Sequence, residues 1–208
     1  GFVGDLNNME SAYIFKEFFD RTLDTNNYDS RTSNYYINSN ERENYLFNST
    51  INGIEESDLV FLIGTNPRFE ATILNARIRK SFVNNSIKVI SLNDVGDLTY
   101  PYQSLDGQTK TIIDTFEGNN EISKNILDAK KPIIILGESF FRLSSADYMF
   151  NLIKNFLKNN NKINDEWNSL NKITSDASTV GNLDLKIINE EKNIFNDLKS
   201  HKFEIIYL

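Results

Sequence analysis

Two unbroken apolar runs set the narrowest limits on the fold. Leu59-Val60-Phe61-Leu62-Ile63 and Ile133-Ile134-Ile135-Leu136 each stop on a glycine, Gly64 and Gly137. A strand with one face in water alternates apolar and polar residues. A run without a polar break suits a strand covered on both faces, as in a parallel sheet with crossover helices on either side. A third run, Ile87-Lys88-Val89-Ile90, follows the first. Between them Ile73, Leu74, Ile78 and Phe82 recur at helical spacing and predict a helix over 70–82, completing a βαβ unit. Further helices are expected over 9–23, 111–116, 122–129, 144–157 and 187–198, with another around Trp167, Leu170 and Ile173. Phe2-Val3 reads as a strand end and 203–208 as a terminal strand. The expected fold class is α/β, with mostly parallel sheets flanked by helices. Two lobes are expected: 1–118, carrying the turn at Gly64, and 119–208, truncated at its C-terminal end.

Charge and residue usage remove several function classes. With 22 Lys and Arg against 29 Asp and Glu, the net charge is −7. Phosphate backbones are bound by clustered bases, so a nucleic-acid protein is not expected. Cysteine is absent, which excludes disulfides, Cys-ligated iron–sulfur clusters and a thiol nucleophile within these residues. One histidine, His201, leaves little for imidazole chemistry or a His-rich metal site. No apolar run approaches the roughly 18–20 residues needed to cross a bilayer, and the start does not resemble a signal peptide. The chain opens at Gly1 without an initiator Met, so a processed chain or a piece of a longer one is expected. Asparagine occurs 30 times, alongside frequent Ile, Lys, Phe and Tyr. All have A/T-rich codons, so the bias reads as genome composition.

The segment with most chemical promise is Gly64-Thr65-Asn66-Pro67-Arg68, because ligands of open α/β sheets bind beyond the carboxyl ends of strands. Gly64 would admit a ligand close to the backbone, Asn66 could hydrogen-bond it, and Arg68 could pair with a phosphate at the next helix start. The same residues also make a plain tight strand-to-helix turn, and the residues alone leave both readings open. No dinucleotide glycine fingerprint, Walker motif or nucleophile elbow accompanies them. Arg77, Arg79 and Lys80 read either as dipole complements at a helix end or as a docking patch for an acidic neighbour. Glu55, Glu56 and Asp58 read as a solvated face. Ser139, Ser144 and Ser145 lack a base partner.

A longer stretch carries a resemblance. Gly53-Ile54-Glu55-Glu56-Ser57-Asp58-Leu59-Val60-Phe61-Leu62-Ile63-Gly64-Thr65-Asn66-Pro67-Arg68-Phe69-Glu70-Ala71, continued by Asn75-Ala76-Arg77-Ile78-Arg79-Lys80, resembles the large iron–sulfur subunit of respiratory complex I in its mitochondrial form. The stretch from Asn44 to Ile51 is similar to the same family, as are Asp97-Leu98-Thr99-Tyr100, Ala129-Lys130-Lys131-Pro132 and Asp165-Glu166-Trp167. The match is to the C-terminal, molybdopterin-oxidoreductase-like part only. The resemblance implies Rossmann-like lobes of the molybdopterin oxidoreductase type. It also implies a structural, accessory role in the matrix-side peripheral arm at the mitochondrial inner membrane. There the chain would be a non-catalytic piece of an NADH:ubiquinone oxidoreductase, supporting electron transfer from NADH to quinone. No cofactor, metal or catalytic residue is expected in this chain, and Gly64, Asn66 and Arg68 would line a vestigial pocket. Iron–sulfur clusters are expected in a partner or in an N-terminal part of the same subunit. The partners would be that cluster-bearing part and other peripheral-arm subunits, with no nucleic acid and no membrane insertion. The alternative is a fragment of a molybdopterin- or nucleotide-binding oxidoreductase domain that still uses the Gly64–Arg68 turn.

Overall fold

A computed structural model of the chain describes residues 1–4, 6–31, 35–188, 194–200, 202, 203 and 205. They divide into two compact units, Gly1–Arg42 with Thr174–Leu208, and Glu43–Ile173. The expected lobe boundary at 118 falls inside the second unit, and one sheet draws strands from both sides of it.

In the first unit, helix α1 (Met9–Glu17) starts where the Asn8 side chain accepts the Ser11 N–H, and it continues into a π-helical turn, Phe18–Thr22. Phe2 bridges to Asp29, and Val3, Ala12, Phe19, Tyr28 and Ile187 form a small core. The Arg31 guanidinium is paired with the Asp29 carboxylate, both buried.

The first strand of the second unit is β1 (Leu59–Ile63), every residue buried. It is followed by the short α2 (Pro67–Glu70), then α3 (Thr72–Asn85), β2 (Lys88–Ser91) and β3 (Gln103–Ser104). Next come α4 (Thr109–Phe116), α5 (Glu121–Asp128), β4 (Pro132–Leu136), α6 (Glu138–Phe141), α7 (Ala146–Asn159) and β5 (Leu170–Lys172). The chain then returns to the first unit through α8 (Thr179–Asp184) and α9 (Ile194–Lys199).

The five strands form one sheet in the order β3-β2-β1-β4-β5, every pair parallel, as the unbroken apolar runs require. Register is set by pairs such as Phe61 with Ile90 on one side and with Ile134 on the other. The period of two sorts β1 into two cores. Val60 and Leu62 join Leu74 and Ile78 of α3, with Val89, Ile133 and Ile135. Phe61 turns the other way and stacks on Phe116 of α4, which meets Phe156 of α7 edge-on.

Residues 167–173 differ from expectation: they contain strand β5 rather than a helix. Leu170 pairs with Ile134 of β4, while on the outer side Lys172 N–H donates to Leu46 O. Asn171 is fully buried in this strand, and polar residues at buried positions hid it from the apolar pattern. The helix expected over 187–198 is seen at its end as α9, and residues 189–193 lie outside the described residues. Of the expected terminal strand, Phe203 and Ile205 are described and lie in no strand, while 204 and 206–208 lie outside the described residues, as does His201.

Candidate functional site

The order of the sheet places a switch point between β1 and β4, where the strands on either side are reached in opposite directions and where doubly wound sheets open a ligand crevice. Here the two glycines close it. Gly137 N–H donates to Ile63 O at 2.9 Å. A Cβ on Gly137 would stand 2.3 Å from Gly64 O and 2.4 Å from Thr65 Cβ. Gly64 has φ +65°, and a Cβ there would meet the Phe140 backbone N at 2.6 Å. Glycine is therefore required at both positions for backbone to lie on backbone.

What remains open is a polar cleft of about 310 Å³ on the β2 side of the turn, lined by Thr65, Asn66, Glu70, Asn93, Asp94 and Ser139 among others. Of the residues expected to form a pocket, Gly64 and Asn66 line this cleft and Arg68 does not, though all three are tied into the same corner. Asn66 caps α2, its Oδ1 accepting the Arg68 N–H at 3.1 Å, while its Nδ2 donates to Val95 O at 2.9 Å. The Arg68 guanidinium donates to both the carboxylate, at 2.6 Å, and the backbone O of Asp97. Glu70 folds back over the start of the helix, accepting from the Asn66 N–H at 3.0 Å and the Thr65 hydroxyl at 2.7 Å. A carboxylate thus stands where a helix start would hold an anion.

The β2 loop is equally self-contained. Asp94 accepts from Gly96 N–H at 2.9 Å and from the Tyr102 hydroxyl at 2.7 Å, and these bonds hold its carboxyl below the usual range. The Thr99 N–H, helped by Arg68, does the same for Asp97. Burial and the Asp94 bond raise the Tyr102 hydroxyl. Behind the loop, buried Asn75 of α3 donates to Leu98 O at 3.0 Å and accepts from the Tyr100 hydroxyl at 2.7 Å. Burial pushes that hydroxyl well up.

Glu70, Asp94, Tyr102 and Gly137 were missed as participants. Gly137 had a signal, since it ends the second apolar run as Gly64 ends the first. The others sit in loops whose pairing no local pattern announces. A titratable group on β5 was missed too. Lys172 is buried, with its ammonium 4.1 Å from the centre of the Phe141 ring. Burial pushes it down to about 8, opposed by the charge of Glu138.

The acidic residues before β1 have structural roles. Glu55 pairs with Arg77 and Lys80, Glu56 pairs with Lys131, and Asp58 accepts the backbone N–H groups of Lys130 and Lys131. Ser139 lines the cleft and Ser145 precedes α7. Among the described residues no group of His, Asp and Glu side chains could hold a metal ion, and no helix is long and apolar enough to cross a membrane.

The parallel order, with a glycine turn at the carboxyl end of the central strand, defines a doubly wound α/β domain of the kind that carries nucleotide sites. More particularly, the chain belongs to the molybdopterin oxidoreductase family, whose model matches residues 1–208. It is 33% identical over its whole length to the NADH-ubiquinone oxidoreductase 75 kDa subunit of Reclinomonas americana, covering 32% of that protein. It is 31% identical over 96% of its length to the NADH dehydrogenase (ubiquinone) iron-sulfur protein 1, mitochondrial, of Solanum tuberosum, covering 27% of it. It is 35% identical over 88% of its length to an NADH-quinone oxidoreductase subunit of Rickettsia prowazekii, again covering 27%. The similarity to the complex I subunit read from residues 53–80 is borne out, and the chain spans about a third or less of these relatives.

The family name implies a pterin cofactor, and the cleft residues do not fit one. The diphosphate of a pterin dinucleotide would meet the carboxylates of Glu70 and Asp94, no base among the described residues lines the cleft, and Arg68 is held by Asp97.

Proposed function

We propose that this chain is a structural part of the peripheral arm of respiratory complex I on the matrix side of the mitochondrial inner membrane. It supports electron transfer from NADH to quinone while binding neither an iron–sulfur cluster nor molybdenum itself. Its partners are the cluster-bearing part of the same subunit and neighbouring peripheral-arm subunits. The observation that carries this reading is the corner at Gly64. Asn66, Arg68 and Glu70 bind one another, the Thr65 hydroxyl and the β2 loop. The polar groups that would recognise a cofactor are instead fasteners between two strand ends. The absence of cysteine from the sequence and the names of the relatives support the same reading.

The test is to purify the assembly through a tag on this chain and measure metals and nucleotides per copy. The expected result is co-migration with NADH-oxidising activity on a native gel, iron present, and molybdenum and pterin nucleotide below one-tenth of the chain. Stoichiometric molybdenum or pterin nucleotide would instead favour an enzyme domain using the Gly64–Arg68 turn.

A further inference from the structure

Helix α3 exposes large apolar residues on the side opposite its buried face. Leu74, Ile78 and Ser81 are buried, with Leu74 and Ile78 packed against the sheet. On the far side Ile73, Ala76, Lys80 and Val83 follow one another three and four residues apart, the spacing of one continuous stripe. Ile73 is 71% exposed and Val83 68%, and Phe69 of α2, just before the stripe, is 80% exposed. A helix that meets water on its outer face normally carries charge there, and exposed apolar residues gathered in one patch mark a contact surface.

Charge says what covers it. In a chain of net charge −7, the 14 residues of α3 contain Arg77, Arg79 and Lys80 and no acid. Arg77 and Lys80 share the one carboxylate of Glu55, and Arg79 shares the field of Asp97 with Arg68, so four bases face two carboxylates and the helix keeps excess positive charge. We infer that the outer face of α3, at Ile73 and Val83, is a docking surface for a helix of another subunit, apolar along one stripe and carrying Asp or Glu opposite Arg79 and Lys80. This rests on the reading of the chain as part of a multisubunit complex. A lipid surface fits less well. The chain's overall charge is repelled by anionic headgroups, and three bases fall short of the cluster of about four to eight that such surfaces recruit.

A photo-reactive residue at Ala76, activated in whole cells, tests this. The expected product is one cross-link to another subunit, at a peptide with helically spaced apolar residues and neighbouring carboxylates. Arg79→Glu with Lys80→Glu should lower its yield roughly tenfold. Arg79→Lys with Lys80→Arg should keep the yield, which separates charge from folding. A yield indifferent to charge reversal, a cross-link to lipid or to a second copy of this chain, or no cross-link would overturn the inference. The same cells distinguish the underlying reading. If the wild-type chain fails to co-migrate with the NADH-oxidising complex, the complex assignment fails, while the cross-link still decides whether α3 docks an acidic helix.

Discussion

At the scale of single residues, the corner depends on what cannot be added as much as on what is bonded. A methyl group on Gly137 would collide with backbone and Cβ atoms of the neighbouring turn, not with the movable end of a side chain. Gly137→Ala should therefore cost about 2–3 kcal/mol, as overpacking does. Gly96→Ala, at φ +75° with open space around it, should cost only about 1 kcal/mol for the left-handed backbone. Urea unfolding of the two variants checks the contrast, and equal losses would contradict it. Lys172 gives a pH signature. Its folded-state value of about 8 lies below the 10.5 of an unconstrained lysine, so between the two the unfolded chain holds the extra proton. Stability from this group should then rise with pH, by about 1–2 kcal/mol between pH 8 and 9.5. Above pH 10 the opposite trend enters, because Tyr28 is pushed up to about 12 by burial and Asp20. Subtracting the pH profile of Lys172→Met from that of the wild type isolates the lysine. A difference flat across pH 8–9.5 would show that Lys172 titrates normally.

At the scale of elements, the strip from Leu46 to Ser49 fastens the outer edge of the sheet through Asn171. This buried side chain accepts the Ser49 N–H at 2.8 Å and donates to the Ser49 hydroxyl and to Ser169 O. Asn171→Ala strands a buried donor and should cost about 1–3 kcal/mol, with faster amide exchange at Ser49 and Lys172 than elsewhere in the sheet. Uniform exchange would deny the fastening role. The same residue marks where the sequence stopped being legible. Strands β1 and β4 were readable because burial on both faces leaves no polar residue in them, β2 because Ile87, Val89 and Ile90 cluster around one exposed lysine, and α3, α4, α5 and α7 because each carries a buried apolar face. Strand β5 was not, since Asn171 and Lys172 occupy buried positions whose partners lie far off in the sequence. By codon usage alone the abundant asparagines read as genome composition. Yet Asn8, Asn66 and Asn120 cap helices, Asn164 closes a turn by accepting from Glu166 and Trp167 N–H, and Asn48 bonds Leu170 O. Gly64, Asn66 and Arg68 could be nominated from their place after a buried strand. Their partners Val95, Asp97 and Glu70 could not, because the pairing of two loops follows from the sheet order and not from either loop.

At the scale of the whole molecule, a nucleotide-type sheet ends in a turn whose Thr65, Asn66 and Arg68 side chains bond the protein itself, in a chain without cysteine. A part that supports a complex and a part that performs its chemistry respond differently to damage at this turn. The first changes how many complexes exist, and the second changes how fast each one works. The decisive measurement is NADH:quinone turnover per assembled complex, with assembled complex quantified on the same native gel, for Asn66→Ala combined with Arg68→Ala. These changes remove the cap, the bond to Val95 and the pair with Asp97, and should lower the amount of complex severalfold. Turnover per complex should stay within error of wild type. A normal amount of complex with turnover reduced tenfold or more would contradict it and return the turn to the chemistry.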